Sequence, residues 1–267
     1  IMSSDWSSDV CSSDLMATKE FPLTPVDVEP VETEYRRIKT ALPVPEAVPH
    51  LQKLRDLEPR SMGGQPPILW NHGEGFIVCD PYGNRWLDFS AGVLVTASGH
   101  GRPEIVEAIR EMAGRGIYHA YCFPTDVRLA LVEKITAMLP PPLKRVFLLT
   151  TGSEATECCI KLAKTHGKRI AQDKSILVTF TNGFHGRTMG AQLAGGSAGL
   201  KSWLCNCPDF VQVPYPDGFR QEDTSFEVFT KSLAEQGIDP ARVCGVMSET
   251  YQGCNARSEE HTSELQS

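Results

Sequence analysis

The chain has no apolar run long enough for a membrane-spanning helix, and no membrane partner is expected. It has no excess of basic residues either. With 26 Lys and Arg against 33 Asp and Glu, the net charge is −7, so a nucleic-acid footprint is not expected. The first residues lack the basic start and apolar stretch of a secretory signal. No CxxC pair occurs among the nine cysteines, an odd and scattered set. That argues against a disulfide framework and fits a reduced, cytoplasmic protein. No metal-ligand spacing, no GxSxG turn, no Walker pattern and no internal repeat can be found.

What remains is a chain of 267 residues with the 41% hydrophobic content of a globular protein. Both ends stand apart. Met2–Leu15 is rich in Ser and Asp without periodicity, and Arg257–Ser267 is similar in kind. Read back through the genetic code, both resemble sequencing-library adapters. Residues 1–15 and 257–267 are therefore expected to be adapter-derived tails, left out of the fold reading. The natural part is expected to run from about Met16 to about Ala256 and to be a fragment. Within it, 16–102 reads as an N-terminal arm and small-lobe segment, and 103–256 as the first part of a larger α/β domain.

One stretch organises the rest. Val146–Leu149 is a short apolar run that predicts a buried strand. Thr150-Thr151-Gly152-Ser153 ends it, and a helix follows with Ala155, Cys158, Cys159, Leu162 and Ala163 on one apolar face. Thr151 and Glu154 have capping-box spacing. A helix start with small hydroxyl residues offers free N–H groups and a positive dipole end to an anion. An ordinary capped turn would carry the same residues.

The flanking segments follow from local chemistry. Six prolines between Pro22 and Pro49 limit the arm to extended chain and a short helix. Gly75–Phe89 predicts a hairpin about Asp80-Pro81-Tyr82-Gly83-Asn84. Ser90–Gly101 is glycine-rich, which suits either a plain loop or close approach of backbone to a ligand. Pro103 opens a helix with Ile105, Ala108, Ile109, Met112 and Ala113 as its stripe. Thr125 or Asp126 caps another, running to about Leu139. Strands are expected at Ser175–Phe180, Val211–Val213 and Arg242–Ser248, and a helix at Ser225–Gln236. Alternating strands and helices imply a mostly parallel sheet with flanking helices. Ligands bind such sheets beyond the carboxyl ends of the strands. Thr151–Ser153, Phe184–Arg187 and Glu249–Gln252 all fall there.

These stretches suit a planar phosphorylated ligand. Gly152 and Ser153 would hold a phosphate, and Phe184 could lie on a ring face or pack in the core. His185 could position the ring or satisfy its loop. Arg187 could fork onto a carboxylate or form a structural ion pair. Glu249 could organise the substrate side or remain a strand-end carboxylate.

Thr151-Gly152-Ser153-Glu154-Ala155 with Ile160-Lys161-Leu162-Ala163 resembles the phosphate-binding segment of class III aminotransferases. Phe184-His185-Gly186-Arg187-Thr188 resembles that family's aromatic-His-Gly-Arg-Thr loop. Leu87-Asp88-Phe89 and Gly99-His100-Gly101 resemble its N-terminal lobe, and Glu249-Thr250-Tyr251-Gln252-Gly253 its Glu-Pro-x-Gln-Gly strand end. The resemblance runs from about Gly63 to Gly253 and is nearest to the 4-aminobutyrate, or omega-amino acid, branch. It implies a fold type I enzyme with pyridoxal 5'-phosphate as cofactor, an amino donor and a 2-oxo acid acceptor as substrates, and a homodimer. It also implies that Gly152 and Ser153 bind the phosphate, Phe184 stacks on the pyridine ring and His185 lies beside it. Arg187 would meet a substrate carboxylate, Val93 would line the substrate pocket, and Glu249 would lie near the active centre.

Thr250 departs from the family's Pro, and Cys254 stands where the 4-aminobutyrate enzymes have a Glu of a substrate-dependent ion-pair switch. The family's Asp for the pyridine nitrogen and its Schiff-base Lys follow Gly253, so neither is expected here and the fragment itself is expected to be inactive. A racemase or decarboxylating transaminase of the same class stays open at this point. So does a non-catalytic domain that binds a phosphate ligand on a similar sheet.

Overall fold

The computed structural model describes residues 21–59, 65–250 and 252. Both end segments taken as adapter-derived, and the Cys254 position, lie outside the described residues. The chain divides into two compact units between Val146 and Phe147.

In the first unit, strands β1 (Val31–Glu32) and β2 (Arg37–Ile38) precede a 3-10 turn (Pro45–Ala47) and helix α1 (Val48–Leu57). Strands β3 (His72–Glu74), β4 (Ile77–Cys79) and β5 (Arg85–Leu87) follow. They form one antiparallel sheet in the order β1-β2-β5-β4-β3. The arm thus contributes two short strands beside its helix. A polar residue fastens it: Asn84, fully buried, closes the expected turn on Asp80 and also reaches the arm. Its Oδ1 accepts from Lys39 N (2.9 Å), and its Nδ2 donates to Thr40 Oγ1 (2.8 Å) and Asp80 Oδ2 (2.6 Å). Every polar atom of that amide is used, as burial requires.

After β5 the chain makes a left-handed turn, with φ of 49°, 60°, 63° and 65° at Ala91, Gly92, Val93 and Leu94. For the three residues that carry a Cβ this conformation costs about 1–2 kcal/mol each. Asp88 holds it. Its Oδ1 accepts from Ser90 N and Oγ, and its Oδ2 from Gly92 N and His100 Nε2, the last two at 2.8 Å. Helices α2 (Pro103–Gly114) and α3 (Asp126–Met138) begin as expected, with Pro103 in the first turn and Thr125 Oγ1 accepting from Arg128 N. Their apolar residues lie largely open: Ile109 is 63% exposed.

The second unit holds α4 (Gly152–Ile170), β6 (Ile176–Phe180), α5 (Met189–Ala194), β7 (Phe210–Val213), α6 (Phe226–Glu235) and β8 (Val243–Val246). The three strands run parallel in the order β7-β6-β8. The central strand β6 is covered on both faces, and its residues are apolar except for Thr179. Ile176 and Val178 pack with Val211, Val213 and Leu233 of α6, while Leu177 packs with Ile160 and Ala163 of α4 and with Ala194. The fold is mixed α/β: an incomplete parallel sheet with flanking helices, together with a hairpin-bearing N-terminal sheet.

Two expectations fail. Val146–Leu149 is not a buried strand. No described strand pairs with it and Phe147 is 74% exposed, because an apolar run without a neighbour's backbone groups has no ladder to join. The face of α4 is also shifted. Ile160 and Gly167 are buried and Ala163 packs on the sheet, whereas Leu162 is 62% exposed and Cys159 lies open. The two cysteines are therefore not core residues; Cys158 is half-buried. Beside Ile160, the small Ala163 and Gly167 let α4 settle on the strands: a Cβ on Gly167 would strike Lys174 O and Cys244 Cβ.

Candidate functional site

The second unit brings the three stretches together at the carboxyl ends of β6 and β8. The start of α4 carries the expected capping box. Thr151 Oγ1 accepts from Glu154 N (3.2 Å), and Glu154 Oε2 accepts from Thr150 N (2.9 Å) and Thr151 N (3.1 Å). Glu154 therefore consumes the amides before the helix. The N–H groups of Gly152 and Ser153, and the Ser153 hydroxyl, find no partner among the described residues. Gly152 faces open space. Two free amides, a hydroxyl and the positive end of a 19-residue helix form a donor set for an anion.

The loop after β6 lies against this helix start. Gly186, at φ 121°, rests on Ser153: a Cβ there would strike Ser153 Oγ and stand 3.0 Å from Ser153 Cβ. Only glycine permits this approach. Phe184 N donates to Glu249 Oε1 at 2.6 Å, which ties the loop to the end of β8. The Glu249 carboxylate and the His185 ring flank one backbone point, 3.5 and 3.3 Å from where a Gly183 Cβ would be. Burial pushes the pKa of His185 below its usual value; the Glu249 charge pulls it up, and Lys201 pushes it down again. Gln252 Nε2 donates to Thr181 O (2.8 Å), fixing the chain after β8 to the start of the loop.

Arg187 is exposed and makes no hydrogen bond or ion pair among the described residues. Its guanidinium fork is free to meet an acid. Val93 belongs to the first unit, where it sits in the left-handed turn with 68% of its surface open. It borders a cavity of about 490 Å³ lined with Trp70, Trp86 and Asp88.

Three residues here were not singled out from sequence. Tyr215 donates to Glu249 O and Thr250 O, both at 3.3 Å, and stacks edge-on to Phe180. Lys201, half-buried, donates to Leu193 O (2.9 Å), and burial lowers its pKa. Glu157 binds the far end of the loop. Tyr215 and Lys201 carry no local signal. Glu157 does, because it lies on the same face as Ser153 and Ile160, where a carboxylate is out of place unless it is bonded. Among the described residues there is no group of three or more potential metal ligands, and no helix is long and apolar enough to cross a membrane.

A family model described as aminotransferase class-III matches residues 60–267. The chain is 36% identical over 194 residues to a mitochondrial acetylornithine aminotransferase of Debaryomyces hansenii, covering 71% of this chain and 39% of that protein. It is 30% identical over 188 residues to acetylornithine aminotransferase 1 of Bordetella parapertussis, covering 70% and 44%. Among solved structures, taurine:2-oxoglutarate aminotransferase from Bifidobacterium kashiwanohense, in complex with PLP and glutamate, superposes with a TM-score of 0.63 at 23% identity. That match covers 72% of this chain and 45% of that one. An omega-transferase from Vibrio fluvialis JS17 superposes at 0.59 with 25% identity, covering 68% and 45%. The chain thus spans less than half the length of these relatives.

Proposed function

The chain belongs to the class III aminotransferases, and from that footing we propose that it is part of a longer enzyme dependent on pyridoxal 5'-phosphate. That enzyme moves an amino group from an omega-amino acid to a 2-oxo acid. The observation that carries the proposal is the donor set at the start of α4, with an aromatic-His-Gly-Arg loop packed onto it through Gly186 and Ser153.

The free amides of Gly152 and Ser153, with the Ser153 hydroxyl, suit the cofactor phosphate. Phe184 suits its ring face, and His185, whose pKa burial lowers, suits the ring edge. Bound there, the cofactor supplies an electron sink beside the substrate nitrogen. This chain's residues bind and orient. Arg187 takes the substrate carboxylate in a forked pair, and Glu249 stands beside it while holding the loop by Phe184 N. Acetylornithine, named for the relatives above, and 4-aminobutyrate share a terminal primary amine and a carboxylate some carbons away. The proposed donor class is defined by that pair of groups.

A homodimer and a cytoplasmic setting belong to the same proposal; nucleic acid and membrane do not, given the net charge of −7. For the 267-residue chain alone, which spans under half of its relatives, we propose no turnover. The test is calorimetric titration of the complete protein with pyridoxal 5'-phosphate and with unphosphorylated pyridoxal. The phosphate should tighten binding by about tenfold or more, and Ser153→Ala should erase part of that gain. Equal affinity for the two compounds would refute the assignment of Gly152 and Ser153.

A further inference from the structure

Helix α5 begins without a cap of its own. Thr188 stands at its N-cap position, but the hydroxyl makes no bond to the helix. It donates instead to Glu157 Oε1 on α4, at 2.5 Å. The same oxygen accepts from Gly190 N (2.9 Å) and Ala191 N (3.1 Å), two of the first-turn amides that a helix leaves unpaired. One carboxylate oxygen from a different helix thus satisfies three donors. The fit is close: a Cβ on Gly190 would strike Glu157 Oε2 and lie 3.0 Å from its carboxyl carbon.

This clasp has a counterpart. Glu249 Oε1 holds Phe184 N at 2.6 Å. The segment from Phe184 to Gly190 has no regular structure until α5 starts, and a carboxylate fastens it at either end. Gly186 in its middle rests on Ser153. Arg187, next along, makes no bond among the described residues. Ser153 and Glu157 are four residues apart on α4, so one rigid helix face carries both the hydroxyl offered to the phosphate and the clasp on the loop.

The geometry points to Glu157 as a positioning residue for substrate recognition: it sets where Arg187 stands relative to the phosphate donors at Gly152 and Ser153. This rests on the assignment of Arg187 to the substrate carboxylate. Glu157 Oε1 is taken up by Thr188, Gly190 and Ala191, so its proposed role runs through the loop. Its effect is to fix the loop in one place, so that the guanidinium meets a carboxylate at a set distance from the phosphate anchor. A misplaced positioning group costs rate even when the groups it positions are intact.

The experiment compares Glu157→Ala, Gly190→Ala and Arg187→Ala in the complete protein. Each is assayed with an omega-amino acid and with the matching amine that lacks the carboxylate. Glu157→Ala should raise KM for the acid and lower its kcat/KM by about tenfold, the loss expected for one charge-assisted clasp, while the amine is little affected. Cofactor retention, read from absorbance, should be unchanged. Gly190→Ala keeps the carboxylate but displaces it, and should reproduce the loss. Hydrogen exchange at the Gly190 and Ala191 amides should quicken in Glu157→Ala. The double variant Glu157→Ala/Arg187→Ala should be no worse than Arg187→Ala alone, because the two act through one contact. If Arg187→Ala is selective for the acid but Glu157→Ala or Gly190→Ala slows both donors equally, Glu157 is merely structural and the inference is overturned. If Arg187→Ala shows no selectivity, the carboxylate assignment fails and the inference falls with it. Should Glu157→Ala fail to fold, Gly190→Ala decides alone, with unchanged selectivity as the refuting result.

Discussion

Removing the Glu249 carboxylate should loosen the loop and shift His185 at once. Among the described residues Phe184 N has one partner, Glu249 Oε1, at 2.6 Å in a half-buried setting. A hydrogen bond to a charged acceptor is worth about 1.5–3 kcal/mol, and an orphaned buried N–H costs about as much. Glu249→Ala should therefore raise the exchange rate of the Phe184 amide by about tenfold to a hundredfold. Glu249→Gln keeps an acceptor oxygen and should lose less. Both variants remove the negative charge that offsets burial at His185, so its pKa, already below the usual value, should fall further. The linkage has a definite sign. A histidine with a depressed folded-state pKa contributes stability above the unfolded value of about 6.5, lost as the pH falls toward the folded value. The assay is hydrogen exchange at Phe184 with an NMR titration of the His185 ring in the complete protein. An unchanged amide in Glu249→Ala, or a His185 pKa that rises in Glu249→Gln, would refute the reasoning.

Two further outcomes are expected. Burial works to raise the Asp88 carboxyl, but the bonds from Ser90, His100 and Gly92 outweigh it and hold its pKa at about 2 against 3.8. Its contribution to stability should be full above pH 3.8 and vanish as the pH falls through about 2. Comparing acid unfolding of wild type and Asp88→Asn would show this, and identical acid limbs would contradict it. The 267-residue chain by itself should self-associate, because α2 and α3 present open apolar residues such as Ile109 and Leu129. A monomer with a sharp cooperative melt, seen by sedimentation and calorimetry, would count against that.

The elements with strong local grammar were legible in the sequence. Thr151 and Glu154 announced the capping box, Asp80 to Asn84 the hairpin turn, and the run Ile176–Phe180 a strand buried on both faces. What escaped depended on partners far along the chain. Val146–Leu149 has the composition of a strand, but a strand is a relation between two segments, and no described one joins it. On α4 the pattern of apolar residues pointed to Leu162, whereas the packed side runs through Ile160, Ala163 and Gly167, where contact depends on smallness. At the site, Phe184, His185, Arg187 and Glu249 could be named from their stretches. The clasp of Glu157 on Thr188, Gly190 and Ala191 spans more than 30 residues and emerges only when α4 and α5 are set side by side.

The most direct test is the kcat/KM of the complete protein and its Arg187→Ala variant for an omega-amino acid and for the matching amine without a carboxylate. Loss of a forked, hydrogen-bonded charge pair should cost the acid about 2–4 kcal/mol of transition-state stabilisation, roughly 30-fold to 1000-fold. The amine should be nearly unaffected, Arg187→Lys should fail to restore the acid, and the cofactor should stay bound on Gly152 and Ser153. If Arg187→Ala slows both donors equally, or releases the cofactor, then Arg187 is structural and its assignment to the substrate carboxylate is wrong.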